Sequence, residues 1–245
     1  MPGGSSERGR RLPEPTVARL PIYQRIVSEV LRAGETTISS ERLGELAGVN
    51  APKVRKDLSL LGSLGTRGTG YDAEALIRQI DATLGAELDW PVVISGIGNL
   101  GRALVNARGF LTRGYRLVGL VDVDPRIIGT EVGEHRVLSI TELEASLDIS
   151  PAIGVVATPA RAAQDAADQL VRLGVRSVLN FAPRVLSLPA EVRVRYVDLS
   201  IELQVLSYHA THDADVQGSG LLSTVGIQPG GPSWSPAAES STPSP

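Results

Sequence analysis

The stretch Val92-Val93-Ile94-Ser95-Gly96-Ile97-Gly98-Asn99-Leu100-Gly101 decides the fold of this chain. An apolar run, short enough for a buried strand, leads directly into G-x-G-x-x-G, and the next residues, Arg102-Ala103-Leu104-Val105, open a helix. This is the context of a dinucleotide-binding turn. We expect Gly96 to make the tight turn, Gly98 to let the backbone approach a pyrophosphate, and Gly101 to let the helix pack against the strand. The amides at the helix N-terminus would then face the phosphates.

A second predicted strand, residues 116–121, ends at Asp122, which follows Gly101 by 21 residues. A carboxylate at that position accepts hydrogen bonds from the ribose hydroxyls and repels a 2′-phosphate. We therefore predict NAD(H), rather than NADP(H), as the cofactor. In the alternative interpretation the glycines serve only a tight strand-to-helix turn, but the spacing to Asp122 favours the cofactor.

The alternation of strands and helices continues beyond this motif. Residues 153–157 and 175–179 are predicted strands, and Thr158 is expected to cap a helix that has Pro159 at its first position. Thr141 and Glu144 have the spacing of a capping box. Because ligands lie beyond the carboxyl ends of strands in an open parallel sheet, the residues that follow the two strands are predicted to lie beside the cofactor: Thr158, Asn180, Phe181 and Ala182.

Composition excludes several kinds of chemistry. The 245 residues include no cysteine, so disulfides, thiolate nucleophiles and cysteine metal sites are excluded. The three histidines have no ligand-like spacing, and no metal site is expected. Residues 1–15 lack the apolar core of a signal peptide, and no apolar run approaches the roughly 20 residues that span a bilayer. The sequence therefore predicts a cytoplasmic protein without a membrane segment.

Charge is distributed unevenly along the chain. Residues 1–67 hold 11 Lys and Arg against 7 Asp and Glu, whereas the remainder holds 13 against 20. The N-terminal part is thus basic and the rest acidic. Such asymmetry indicates an anionic partner for the N-terminal part, with nucleic acid as the first candidate.

The basic part has the pattern of a helix-turn-helix. A helix is predicted from Pro21 to Leu31, with its apolar side facing inward. A second helix, residues 41–47, follows a cap at Ser39 or Ser40, and Asn50 caps a third. The short Gly48-Val49-Asn50 connection is typical of the motif. Its inward residues are predicted to be Ile22, Ile26, Val27, Val30, Leu31, Leu43, Leu46, Ala47, Val54, Leu58 and Leu61.

The third helix carries the only two lysines of the protein, Lys53 and Lys56. The first turn of a recognition helix faces base edges, so Asn50, Ala51 and Lys53 are predicted to read bases, and Arg55 and Lys56 to reach phosphates or bases. The alternative is a solvated helix face paired with Asp57. Residues 62–71 are glycine-rich and are predicted to form the wing of a winged helix, with Arg67 entering the minor groove; the alternative is an ordinary turn.

Residues 197–206 fit a strand by alternation and a helix by composition. As a helix this segment would be apolar around much of its circumference and would be buried at a subunit interface. The predicted organisation is a disordered leader (1–15), a DNA-binding domain (16–86), a cofactor domain (90–196), a C-terminal segment (197–212) and a disordered tail (213–245).

From about Arg19 to Tyr208 the chain resembles the Rex family of NADH-responsive transcriptional repressors. The resemblance rests on seven segments in order: Arg19-Leu20-Pro21-Ile22-Tyr23, Val54-Arg55-Lys56-Asp57-Leu58-Ser59, Gly65-Thr66-Arg67-Gly68-Thr69-Gly70-Tyr71, Gly96-Ile97-Gly98-Asn99-Leu100-Gly101, Asp122-Val123-Asp124-Pro125, Asn180-Phe181-Ala182-Pro183 and Asp198-Leu199-Ser200.

The resemblance implies an α/β fold in which a winged helix-turn-helix is followed by a Rossmann-like parallel-sheet domain and a C-terminal helix exchanged between the subunits of a homodimer. It also implies binding to an inverted repeat in double-stranded DNA when NADH is scarce, and release when NADH accumulates. Asp198, in the last matching segment, is predicted to join the cofactor residues. One position departs from the family: Ala107 stands where members commonly carry a tyrosine that couples the nicotinamide state to the domain arrangement.

Two other functions compete with this interpretation. An oxidoreductase would share the cofactor site, but the sequence offers no Tyr-x-x-x-Lys pair or other persuasive acid or base, so we expect no catalytic residues. A module that uses the Rossmann fold only as a dimerisation scaffold would show no NADH affinity.

Overall fold

The computed structural model describes residues 12–62, 65–66, 70–107, 114–146 and 150–217. The chain divides into two units, Met1–Val197 and Asp198–Pro245. The first unit contains four helices with a small sheet, followed by a larger sheet with its own helices. The described part of the second, residues 198–217, contains one helix.

The first helix is longer than the sequence pattern predicts. Helix α1 spans Glu14–Arg32, so it begins seven residues before Pro21 and includes the last residues assigned to the leader. Pro13 precedes it in an extended conformation, and a proline is tolerated in the first turn. Leu20, Tyr23, Val27 and Val30 face the core. The prediction for Ile22 is wrong, because this side chain is 46% exposed.

Helices α2 (Ser40–Ala47) and α3 (Ala51–Ser59) form the predicted helix-turn-helix. Ser39 caps α2 by accepting a hydrogen bond from the Arg42 amide, and Gly48 ends it with a φ of 66°. Asn50 caps α3 by accepting from the Lys53 amide at 2.9 Å. Leu46 was expected to face inward, but its side chain is 54% exposed. Local capping chemistry therefore sets the boundaries of both helices, as predicted.

A small antiparallel sheet completes the winged helix. Strands β1 (Thr37–Ile38), β2 (Gly65–Thr66) and β3 (Gly70–Asp72) pair in the order β1-β3-β2. The β2–β3 pair is the predicted hairpin of the wing. Helix α4 (Ala73–Leu84) follows, capped by Asp72. The core between these elements is formed by the buried residues Leu20, Tyr23, Val27, Val30, Ile38, Leu43, Val54, Leu58, Ala73, Leu76 and Ile80.

The second part of this unit is a mostly parallel sheet. Its strands are β4 (Trp90–Ser95), β5 (Tyr115–Val121), β6 (Glu131–Val132), β7 (His135–Leu138), β8 (Ile153–Val156), β9 (Ser177–Asn180) and β10 (Arg193–Tyr196). They lie in the order β10-β9-β8-β4-β5-β7-β6, and only β6 pairs antiparallel. The parallel strands have the order of a dinucleotide-binding fold, with its ligand crevice where β8 and β5 flank β4.

Helices cover both faces of this sheet. Helix α5 (Asn99–Asn106) contributes Leu104 and Val105 to the core on one face. Helices α6 (Ile140–Ser146) and α7 (Ala163–Arg172) contribute to the core on the other face. Strand β4 is buried along Val92–Ser95, as expected for a central strand covered on both sides.

Two of the predicted helix caps are wrong. Helix α6 has its capping box at Ser139 and Glu142: the Glu142 carboxylate accepts from the Ser139 amide at 2.8 Å, and the Ser139 hydroxyl accepts from the Glu142 amide at 3.3 Å. Thr158 caps no helix, because a short 3-10 turn, Ala160–Ala162, comes between it and α7. Pro159 thus precedes the turn and does not begin the α-helix.

The ambiguous C-terminal segment is a helix. Helix α8 spans Leu199–Gln217 and so continues beyond the predicted end at residue 212. Asp198 begins it by accepting hydrogen bonds from the amide and hydroxyl of Ser200, which lower the pKa of its carboxyl. Within its own unit this helix leaves several large apolar side chains exposed: Leu199, Ile201, Leu203, Val205, Leu206 and Tyr208. Among the described residues, no helix has the length and apolarity of a membrane span.

Candidate functional site

The glycine-rich turn between β4 and α5 has three different environments at its three glycines. Gly96 has a φ of 95°, and a Cβ atom there would lie 2.7 Å from Thr158 Cγ2. A Cβ atom at Gly101 would overlap the carbonyl oxygen of Gly96. At Gly98, by contrast, nothing lies within 4 Å of the position of a Cβ atom. Two glycines therefore permit close packing, and the third leaves the open space that a pyrophosphate would need.

A cavity of about 470 Å³ adjoins this turn at the carboxyl ends of β4, β5 and β8. Its walls come from the glycine turn, the loop after β5, and the segment from the end of β8 into α7. The lining residues are Ser95, Gly96, Gly98, Asp122, Val123, Asp124, Ile127, Ala157, Thr158, Pro159, Arg161, Ala162, Asp165, Ala166 and Gln169. The structure thus brings together four predicted cofactor residues: Gly96, Gly98, Asp122 and Thr158.

Asp122 stabilises the loops around the cavity by hydrogen bonds. Its carboxylate accepts backbone hydrogen bonds from Ile97 at 2.7 Å, Val123 at 2.8 Å and Asp124 at 2.9 Å. A carboxylate offers about four acceptor positions, so these amides leave room for a further donor such as a ribose hydroxyl. Ile97 itself is buried, and its contribution is this amide rather than its side chain.

Thr158 carries an unpaired polar atom. Its Oγ1 is buried and has no hydrogen-bond partner among the described residues. A buried hydroxyl left without a partner costs about 1–3 kcal/mol. Because Thr158 lines the cavity, a polar group of a bound ligand would remove this cost. The orphaned hydroxyl and the open space at Gly98 both fit a dinucleotide.

The other predicted cofactor residues lie elsewhere. Asn99 and Leu100 begin α5 and are exposed. The Asn180 amide is buried and holds its own turn, donating to the carbonyls of Ala182 and Arg184 and accepting from the Ala182 amide. Phe181 is half-buried and packs against the core that includes Leu104 and Val105, whereas Ala182 is buried in the core on the other face of the sheet. None of Asn180, Phe181 and Ala182 lines the described cavity, so their contact with a cofactor remains a prediction.

The predicted DNA-reading face of α3 is only partly free. Lys53 and Lys56 are exposed. Arg55 is directed back towards α2, where its Nη1 lies 2.8 Å from both Glu41 Oε1 and Ser40 Oγ. The side-chain oxygen of Asn50 accepts the Lys53 amide, and Ala51 is half-buried at the helix start. The prediction for Arg67 lies outside the described residues.

Sequence reasoning missed the role of Asp57, which is buried with 2% of its surface exposed. Its carboxylate accepts from Arg19 Nε at 2.6 Å and Nη2 at 2.8 Å. Thr16 Oγ1 and Tyr23 Oη each donate at 2.9 Å. The alternative that paired Asp57 with the exposed cations of α3 is therefore wrong. This network joins α1 to the helix that carries the lysines.

The hydrogen bonds decide the protonation of this network. Burial favours the neutral form of Asp57, but the donors from Arg19, Thr16 and Tyr23 outweigh it and lower the pKa of the carboxyl. Burial, followed by the hydrogen bond to Asp57, raises the pKa of Tyr23 to about 12. Asp57 is thus held as an acceptor and Tyr23 as a donor. The matching segments around Arg19 and Asp57 were the only sequence signal for this pair.

Both the N-terminal part of the chain and the part that follows it match known protein families. The family model described as "Putative DNA-binding protein N-terminus" matches residues 11–59, and the one described as "CoA binding domain" matches residues 87–184. The "Redox-sensing transcriptional repressor Rex" of Streptomyces avermitilis is 53% identical over 208 residues, covering 84% of this chain and 82% of the relative. The chain belongs to the Rex family. The Rex of Carboxydothermus hydrogenoformans is 42% identical over 207 residues, covering 84% of this chain and 100% of the relative.

Rex structures agree with the fold. The crystal structure of RSP, a Rex-family repressor, matches with a TM-score of 0.76 at 32% identity, covering 85% of this chain and 98% of RSP. RSP in complex with β-NAD⁺ and operator DNA matches with a TM-score of 0.76 at 31% identity, covering 88% and 100%. RSP in complex with β-NADH gives 0.77 at 31%, covering 85% and 99%. The predicted family and fold class are confirmed.

The position at which this chain departs from the Rex pattern lies at the end of α5. Ala107 is the C-terminal capping residue of that helix and is exposed.

Proposed function

We propose that this protein is an NADH-sensing repressor that binds an inverted-repeat operator when NADH is scarce and releases it when NADH binds. The observation that carries the proposal is the pairing, in one chain, of a dinucleotide cavity beside Gly98 with a helix-turn-helix that exposes Lys53 and Lys56. Membership of a family of redox-sensing repressors supports it.

We assign the cofactor residues from the turn outward. Gly98 and the first amides of α5 receive the pyrophosphate, because a helix N-terminus offers unpaired N–H groups and a favourable dipole. The free acceptor position of Asp122 takes a ribose hydroxyl, and the Thr158 hydroxyl finds its missing partner on the ligand. The dinucleotide supplies the redox signal through its nicotinamide, which is positively charged only when oxidised.

We assign the operator contacts to α3 and the wing. Lys53 and Lys56 neutralise phosphates or read bases, and Asn50 and Ala51 stand at the helix start, which enters the major groove. Arg55 joins them only if DNA competes with Glu41, because the two side chains are paired at 2.8 Å. Arg67 reaches the minor groove from the wing.

We further infer a homodimer in which α8 is exchanged between subunits. An isolated helix that exposes Leu199, Leu203 and Leu206 along with other large apolar side chains needs a partner to bury them. A two-fold symmetric dimer also matches the symmetry of an inverted repeat. Such a regulator would act in the cytoplasm, where DNA and NAD(H) are both present.

The switch follows from linkage. NADH can release DNA only to the extent that it binds the arrangement that does not bind DNA more tightly, and a shift from 1:99 to 99:1 needs about 10⁴-fold differential affinity. We infer that cofactor binding closes the two Rossmann domains, rotates the winged helices and separates them from half-sites a turn or more apart. Small-angle scattering tests this step: an unchanged dimer shape at saturating NADH would contradict it.

The function itself is tested by fluorescence anisotropy on an inverted-repeat DNA at fixed salt. NADH should release the DNA at concentrations at which NAD⁺ and coenzyme A leave the complex intact. The coenzyme A titration is included because the matching domain model is described by that ligand. Indifference to all three ligands would leave a DNA-binding protein without a redox switch.

We propose no catalytic role. An oxidoreductase would transfer hydride from NADH to a carbonyl substrate, and the absorbance of NADH at 340 nm would fall when candidate carbonyl compounds are added. A dimerisation scaffold without cofactor would show no NADH binding, and Asp122→Ala would change nothing. NADH binding that is weakened by Asp122→Ala would contradict the scaffold.

A further inference from the structure

The loop after β5 carries an acid and a cation that bind each other. Arg126 donates to Asp124 from Nη2 to Oδ2 at 2.6 Å and from Nε to Oδ1 at 3.0 Å. The backbone amide of Arg126 also donates to Oδ1 at 2.9 Å. The Arg126 guanidinium is therefore held against the Asp124 carboxylate within a single turn of chain.

Only one member of this pair lines the cavity. Asp124 borders it together with Asp122 and Asp165, whereas Arg126 is not among the lining residues. Among the lining residues that the structure describes, Arg161 is the one cation. The cavity wall thus carries more negative than positive side chains, and the nearby cation is paired with an acid of that wall.

We propose that Asp124 is a specificity-determining residue, which selects NAD(H) by withholding Arg126 from the 2′-position of the adenine ribose. The inference rests on the proposed function, because it requires that the cavity bind a nicotinamide dinucleotide. In dinucleotide-binding folds an arginine near the end of the second strand accommodates the 2′-phosphate of NADP(H). Arg126 stands four residues beyond Asp122, so this chain already contains such a cation.

The energetics of the pair make this exchange feasible. An arginine fork binds a phosphate as readily as a carboxylate. The Arg126 side chain is 89% exposed and that of Asp124 27% exposed, and exposed pairs contribute little to stability. Hydrogen bonds from Arg126 lower the pKa of Asp124 to about 2, so the acid stays charged at neutral pH. Arg126 can therefore reorient once the carboxylate is removed, without disturbing the core.

The test compares the ratio of dissociation constants for NADPH and NADH, measured by the fluorescence of the reduced nicotinamide. Asp124→Asn removes the charge but keeps an oxygen for the Arg126 amide. Asp165→Asn is the matched control, because it removes a charge from the cavity wall without releasing a cation. We expect Asp124→Asn to lower the dissociation constant for NADPH, relative to that for NADH, about tenfold. Asp165→Asn should lower this ratio of dissociation constants much less. The double variant Asp124→Asn with Arg126→Ala should return it towards the starting value.

The outcomes separate this inference from the function on which it rests. An unchanged ratio in Asp124→Asn, or an equal fall in Asp165→Asn, overturns the role of Asp124 while NADH binding by the unmodified protein still stands. A ratio that stays low in the Asp124→Asn and Arg126→Ala double variant shows that general charge, not Arg126, sets the choice. Failure of the unmodified protein to bind NADH overturns the proposed function, and this inference with it.

Discussion

Arg19 and Asp57 form a two-point ion pair, Nε to Oδ2 at 2.6 Å and Nη2 to Oδ1 at 2.8 Å, which joins α1 to α3. Thr16 and Tyr23 complete the coordination of the same carboxylate. The helix that carries Lys53 and Lys56 is therefore held by a polar contact from its buried side. At the first turn of α1, Glu14 also pairs with Arg195 of β10 at 3.2 Å. One helix thus contacts both α3 and strand β10 of the parallel sheet.

Asp57→Ala is expected to destabilise the winged helix and weaken operator binding while NADH binding persists. Removing one partner leaves the largely buried Arg19 charge without its acid, which costs about 3–5 kcal/mol. Urea unfolding followed by circular dichroism measures the loss. Glu74→Gln, which breaks the exposed pair with Arg78, is the control and should cost less than about 0.5 kcal/mol. Equal losses in the two variants would refute the structural role of Asp57.

The same network predicts a dependence of stability on alkaline pH. The pKa of Tyr23 is raised from 10.0 to about 12 in the folded protein, so its contribution is complete below pH 10 and is lost as the pH rises towards 12. The stability advantage of the unmodified protein over Tyr23→Phe should shrink by about 1.4 kcal/mol for each pH unit in this range. Urea titrations at several pH values would measure this, and a constant difference from pH 8 to 11 would argue against the buried hydroxyl–carboxylate contact.

The glycine turn predicts opposite results at two positions. Gly98→Ala adds a methyl group to open space, so folding should survive while NADH affinity falls tenfold or more, about 1.4 kcal/mol. Gly101→Ala forces a methyl group against the Gly96 carbonyl and should cost about 1–3 kcal/mol of stability. Calorimetric NADH titrations and thermal unfolding of both variants measure the contrast. An unaltered NADH affinity in Gly98→Ala would show that the pyrophosphate does not bind at this turn.

The alanine at position 107 is expected to change the NADH concentration at which the operator is released. If a tyrosine at this position strengthens coupling, as the family pattern implies, Ala107→Tyr should lower the NADH concentration that half-releases the operator. Ala103→Tyr places the same side chain at another exposed position of α5 and should leave that concentration unchanged. An identical shift in both variants would mean that added aromatic surface, and not the position, changes the response.

Local patterns predicted the parts of the fold that depend on neighbours in sequence. The caps at Ser39 and Asn50 and the glycine turn were predictable, because each is specified within a few residues. The start of α1 was not, because Pro13 and Pro15 resemble a disordered leader until the helix packs. The prediction also placed Ile22 in the core, although this side chain is 46% exposed.

Non-local contacts account for the rest of the difference. Asp57 lies 38 residues from Arg19. Helical spacing places it on the same side of α3 as Val54 and Leu58, but it does not indicate which distant donors meet its carboxylate. Asn180 is the last residue of β9, at the carboxyl edge of the sheet, yet its amide satisfies its own turn. In both cases hydrogen bonding within the fold determines where a polar side chain points.

The most direct test of an NADH-sensing repressor is the reciprocity of its two ligands. The measurement is the dissociation constant for NADH of the free protein and of the protein saturated with operator DNA, at one salt concentration. Linkage requires that the operator weaken NADH binding by the same factor by which NADH weakens operator binding. For an NADH-sensing repressor we expect both factors to be equal and well above one. The same NADH affinity with and without operator would contradict it.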